Sequence, residues 1–146
     1  MVEQVHVFVD NRPGRIQKVT AIIGEAGINL LAIIIQDRSD FGIVKMLVND
    51  PQKARLVLVD AGFACSLKKI MAVEIEDKPG GLASFMAVLS EKDINVLDAH
   101  GFVVEPGKKA IYCIEVADVN KAEQCVVEHN YNSIDESQLY ELATPE

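Results

Sequence analysis

A chain of 146 residues with a net charge of −8, 25% charged and 49% hydrophobic residues has the make-up of a globular protein with a sizeable core, and its acidic balance excludes a partner recognised through a phosphate backbone. No apolar run approaches the ~20 residues of a membrane helix, and no basic, then apolar leader opens the chain, so neither nucleic acid nor membrane is an expected partner. Three cysteines, Cys65, Cys113 and Cys125, are an odd number without C-x-x-C spacing, which predicts reduced thiols and a cytoplasmic location.

Val5, Val7 and Val9 alternate as a strand with one buried face. The stretch Asn11-Arg12-Pro13-Gly14-Arg15 ends it, and Ile16, Val19, Thr20 and Ile23 then follow helical spacing for about three turns. Gly27 suits a left-handed helix end, Asn29 opens a second strand, and Ile43–Val48 forms a third. Asp50 reads as an N-cap with Pro51 in the first turn. Ala54, Val57, Leu58 and Ala61 make the stripe of a second helix, Gly62 ends it, and Phe63 leads into a short fourth strand.

The chain then repeats itself. With a shift of 66, Val7–Ala32 matches Val73–Asp98 at eight of 26 positions, among them Pro13/Pro79, Gly14/Gly80 and Asn29/Asn95; average composition predicts about two such matches by chance. Beyond a loop two residues longer in the second copy the shift becomes 68, pairing Asp50 with Asp118, Gly62 with Asn130 and Phe63 with Tyr131. A repeat of this length is one duplicated small domain. Each copy reads βαββαβ, so the fold class is α+β: two tandem ferredoxin-like sandwiches, residues 1–68 and 69–146, each an antiparallel sheet with both helices on one face. The tail after Ile134 reads as a short helix within the second region, with Asp135 and Gln138 as a capping box.

Pro-Gly alone is foremost a turn signal. Its joint recurrence with a preceding base and an Ile-Asn pair at fixed spacing points further. Arg12, Pro13, Gly14 and Arg15, and Lys78, Pro79, Gly80, Gly81 and Leu82, would gather backbone N–H groups at a helix start, where unpaired donors favour an anion such as a carboxylate. Asn11 and Asn29 are expected at one end of the sheet, where an amide can hold an ammonium or a carboxylate. Carboxylate plus ammonium describes a free amino acid.

The segments NRPGRIQKVTAIIGEAGINL and DKPGGLASFMAVLSEKDINV resemble the first half of ACT domains, regulatory modules appended to amino-acid biosynthetic enzymes, and the resemblance covers both copies from about Val5 to Ile134. It implies a stand-alone tandem pair that binds an amino acid where ACT domains meet, without a catalytic domain or cofactor, and signals to a separate enzyme. By that resemblance the grip falls on Asn11 and Asn29, and in the second copy on Asp77 and Asn95; side-chain specificity is expected from the apolar neighbours Leu30, Leu31, Val96 and Leu97. Val9 and Asp77 depart from the serine-binding pattern, and Asp77 would repel a carboxylate yet hold an ammonium.

Competing readings are a pure dimerisation and docking module, and an acylphosphatase-like enzyme that would use Arg15 and Asn11. His6, His100 and His129 lack metal-ligand spacing. Cys125 lies on an apolar stripe, and Cys113 should face the open side of its sheet without a neighbouring base. The outward positions Phe8, Ile43 and Leu47, with Ile33-Ile34-Ile35, predict an apolar open face on the first sheet and hence a homodimer through that repeat.

Overall fold

In the computed structural model, which describes residues 1–143, the first copy runs β1 (Val2–Asp10), α1 (Arg15–Glu25), β2 (Leu30–Arg38), β3 (Phe41–Val48) and α2 (Pro51–Asp60) into β4 (Ala64–Glu76). The second runs α3 (Gly81–Glu91), β5 (Val96–Glu105), β6 (Lys109–Val116), α4 (Val119–Glu128) and β7 (Asn132–Ile134), with α5 (Glu136–Ala143) behind it. No turn residue interrupts Ala64–Glu76, so one strand serves as the last of the first copy and the first of the second.

The chain divides into two compact units, one of Glu3–Lys68 with the segment from Glu136 on, the other of Met1–Val2 with Lys69–Asp135. Strand order is β2-β3-β1-β4 in the first and β5-β6-β4-β7 in the second, and the pairings around β3 and β6 are antiparallel, as the duplicated βαββαβ pattern requires.

Side-chain alternation decides which face of each sheet the helices cover. In the first unit Val5, Val7, Val9, Val44, Met46 and Val48 meet Val19 and Ile23 of α1 and Ala54 and Leu58 of α2. In the second, Met71, Val73, Ile75, Ile114 and Val116 meet Phe85 and Leu89 of α3 and Ala122, Cys125 and Val126 of α4. The helix punctuation is as the residue types dictate. Asp50 and Asp118 accept N–H bonds from Lys53 and Lys121, and Gly27, Gly62, Asp93 and Asn130 hold positive φ at the matching helix ends. Ala61 and His129 fall past the last helical turn and are exposed, so the two apolar stripes end one position earlier than their spacing suggests.

Two differences bear on the site. The extra two residues of the second copy divide between a longer turn (106–108 against 39–40) and a register irregularity between Val103 and Glu105. The open face of the first sheet is less exposed than its sequence implies. Leu47 is fully buried, Ile43 is half-buried, and Phe8 alone of the three is exposed. Helix α5 lies against β2 and buries Leu139, and the Glu3 N–H donates to Glu136 Oε1 at 3.2 Å.

Candidate functional site

The two Pro-Gly turns have the same backbone. Gly14 (φ 89°) and Gly80 (φ 82°) stand in the left-handed region immediately before α1 and α3, so neither helix has a side-chain cap. The first helical bonds run from Lys18 N–H to the Gly14 carbonyl and from Ser84 N–H to the Gly80 carbonyl. The N–H groups of Ile16 and Gln17, and of Leu82 and Ala83, therefore have no acceptor among the described residues, which leaves at each turn the unpaired donors an anion would use. At Gly81 a Cβ would come 2.3 Å from the Glu76 carbonyl oxygen, so the second turn closes more tightly than a side chain permits.

The side chains around the turns are engaged locally. Asp10 pairs with Arg12 at 2.7 Å and Arg15 at 3.4 Å, and Glu76 pairs with Lys78 at 2.5 Å, so the basic residue before each Pro-Gly faces a carboxylate of its own strand instead of an empty anion site. The Asn11 amide donates to Asp37 Oδ1 at 2.8 Å and to the Ser39 carbonyl at 3.0 Å, bracing the β2–β3 turn. Asp77 does the corresponding work with opposite polarity, its Oδ2 accepting the Gly107 N–H at 2.8 Å. That exchange explains why the second copy carries an acid there: its longer hairpin presents a backbone donor where the first presents an acceptor.

Asn11 and Asn29 do not lie at one end of the sheet. Strands β1 and β2 are both antiparallel to β3; Asp10 sits opposite Phe41 at its start and Leu30 opposite Val48 at its end. The eight residues of β3 separate the two points by roughly 23 Å at strand rise. Asp77 and Asn95 are split likewise, the first bonded to Lys108 and the second to Ala117 across the two ends of β6. Helix α1 carries the chain back along the sheet, so β2 runs parallel to β1 and begins at the end opposite Asn11. Asn29 and Asn49 exchange bonds at the β2 entrance, Leu30 and Val96 pack partly against the two cores, and Leu31 falls at the register irregularity that recurs at Leu97.

What the sequence reading missed is a cavity of about 340 Å³ in the second unit, beside the Lys78–Gly81 turn. Its floor is the end of β4 beyond Glu74, where the pairing with β7 stops. One wall is α3 from Gly81 to Ser84 and the other is the α4–β7 connection, His129–Asn132. Tyr131 stands edge-on to buried Phe85, with ring centroids 4.9 Å apart. Glu74 is held by Lys109 at 3.4 Å and by the Asn132 amide at 3.2 Å, and His129 Nδ1 meets the Cys125 carbonyl at 3.0 Å.

The first copy fills the same place with its own side chains. Arg15 stands where Gly81 does and Lys18 where Ser84 does, and both lie over the Phe63 ring, at 5.6 and 5.8 Å from its centroid. The signal was present in the aligned copies as the exchanges Arg15/Gly81 and Lys18/Ser84, but without the helix–loop contact it carried no direction.

Burial raises the thiols of Cys113, to about 12, and Cys65, to about 11, which keeps both protonated and unreactive at neutral pH. Among the described residues no group of histidine, cysteine and carboxylate side chains could hold a metal ion, and no helix is long and apolar enough to cross a membrane.

A family model described as an ACT domain pair matches residues 1–143. The chain is similar to protein BT0572 of Bacteroides thetaiotaomicron, with 28% identity, 95% of each chain covered and a TM-score of 0.90. It shares its fold with the ligand-free regulatory subunit of aspartate kinase from Thermus thermophilus (18% identity, 86% of this chain and 91% of that one, TM-score 0.63). The corresponding subunit from Thermus flavus gives 19% identity, 86% and 90% coverage and a TM-score of 0.59. No curated protein matches the sequence significantly.

Proposed function

Because this chain belongs to the ACT domain pair family, we propose that it is a non-catalytic regulatory sensor of a free amino acid that acts on a separate enzyme of amino-acid metabolism. The observation that carries the reading is the pair of glycine-entered helix starts with first-turn N–H groups left without acceptors, a place suited to the carboxylate of an amino acid. That the fold is shared with regulatory subunits of aspartate kinase supports action in trans. Binding regulates only if the ligand favours one arrangement of the protein over another. An asparagine at the entrance of β2 or β5 joins a ligand at a turn only when it comes from another ACT unit, because its own lies a strand length away.

The test is a thermal-shift screen of the full chain against the twenty amino acids. One or a chemically related few are expected to raise Tm in a concentration-dependent way, by about 2.7 kcal/mol of added stability at a hundred times Kd. No response to any of them, together with a stable protein partner in a pull-down, would favour the docking-module reading.

The chain is also proposed to form a homodimer through its first unit. Phe8 and Phe41 are each 43% exposed with ring centroids 6.4 Å apart, an apolar pair left uncovered on the open face. Sedimentation at micromolar concentration is expected to give a dimer that Phe8→Glu dissociates, and a monomer for the native chain would remove this part of the proposal.

A further inference from the structure

The two units offer different accommodation at equivalent turns. In the first, the guanidinium of Arg15 and the ammonium of Lys18 cover Phe63, and Arg15 is held from its other side by Asp10. In the second, Gly81 and Ser84 replace them and a cavity stands open, within the range of about 300–1,000 Å³ usual for small-molecule sites. The other exchanges run the same way. Phe63 becomes Tyr131, which adds a hydroxyl, and Phe8 becomes Glu74, which adds a carboxylate. A place that the first copy fills with its own cationic side chains is hollow in the second.

We infer that the cavity of the second unit is the amino-acid site of this chain and that the equivalent place in the first unit is closed by Arg15. The inference rests on the sensor reading above and adds which turn receives the ligand. The chemistry of the lining specifies the class. Glu74 and Glu76 would repel a simple anion, and Lys78 and Lys108 would repel a simple cation, whereas a zwitterion can present each end to its opposite. Lys78 is paired with Glu76 and Lys108 with Glu105, all at the exposed rim, so both ammoniums can change partner without uncovering a buried charge. Tyr131 is locked against Phe85, which fixes one wall, and β4 beyond Glu74, where the pairing with β7 stops, forms the floor. All of these groups belong to one unit, so the grip does not require Asn29.

Ser84→Lys tests this. It copies the first unit's own residue into an exposed helical position that lines the cavity, where lysine is a good helix former. Binding of the amino acids that stabilise the native chain is measured by calorimetry on the full-length protein. Ser84→Lys is expected to raise Kd by about tenfold or more. Tyr131→Phe, which takes away one hydroxyl and keeps the wall, should raise it roughly threefold to tenfold. Asn29→Ala and Asn11→Ala should leave Kd unchanged. Native-like Tm of each variant without ligand establishes that the fold is intact. Undiminished binding in Ser84→Lys and Tyr131→Phe, with loss in Asn29→Ala, would overturn the inference while leaving the sensor reading in place. A native chain that responds to no amino acid would overturn the sensor reading itself, and the inference with it.

Discussion

Replacing Phe85 with alanine is expected to lower stability by about 4 kcal/mol, read as a fall in the urea midpoint at an unchanged slope. Phe85 is fully buried at the centre of the second core, where α3 crosses β4 and β6. Truncation there removes the transfer energy of the ring and leaves a void that a short helix between two fixed sheet contacts cannot close. The edge-to-face contact with Tyr131, worth about 0.5–1.5 kcal/mol beyond area, goes with it. A chain of this length has roughly 7–20 kcal/mol in total, so the loss is a large share. The matching position of the first copy is Val19, equally buried but much smaller, and Val19→Ala should cost only about 2 kcal/mol. Equal losses at the two positions, or a loss below about 1 kcal/mol for Phe85→Ala, would show that the second core is not organised around the phenylalanine. Because Tyr131 walls the cavity, the same variant should weaken ligand binding at temperatures where it is still folded.

The repeated core was legible in the sequence because it depends on periodicity, which is local. Val5, Val7 and Val9 share one face of a strand, and Asp50 and Asp118 can cap only the helices that follow them, so those elements appear where the residues place them; that Gln4 and His6 on the other face of β1 are buried too had no such signal. The turns were legible too, since Gly14 and Gly80 answer a backbone need that few other residues meet. The ends of the strands were not. Whether Asn29 lies beside Asn11 depends on how many times the chain crosses the sheet between them, which is a property of topology and not of either residue. Tail helix α5 illustrates a second limit: Leu139 marks an apolar side but says nothing about which strand it will cover. The cavity shows a third. It exists because Gly81 and Ser84 are small where the facing loop is close, and loop-to-helix distance has no signature in sequence spacing. Asn11 and Asp77 looked like paired binding groups and prove to brace hairpins of different length, so their recurrence reflects a shared turn as much as any ligand.

Stability should also fall steeply above pH 9, and Cys113 is the residue that makes it do so. The thiol lies on β6 opposite Ala72, on the face away from the helices, and is 1% exposed. Burial pushes it up to about 12 from an ordinary value of 9.0. Between those two values the unfolded chain has released this proton and the folded chain retains it. The folded state therefore binds more protons than the unfolded one, and stability declines as pH rises, by up to about 1.4 kcal/mol per pH unit from this group. Across the whole window the loss is on the order of 4 kcal/mol, and below pH 9 both states hold the proton and the group contributes no slope. Cys65, half-buried on β4 and raised to about 11 by burial against the opposing charge of Arg55, acts in the same direction over a narrower range. Urea midpoints of the native chain and of Cys113→Ala, taken from pH 8 to pH 11, separate this effect from the general titration of lysine and tyrosine. The variant should start lower, because a buried side chain has been shortened, and then fall less steeply, so that the two curves converge with rising pH. Parallel curves would mean that Cys113 titrates alike in both states, and that the face of this sheet away from the helices admits solvent which its burial excludes.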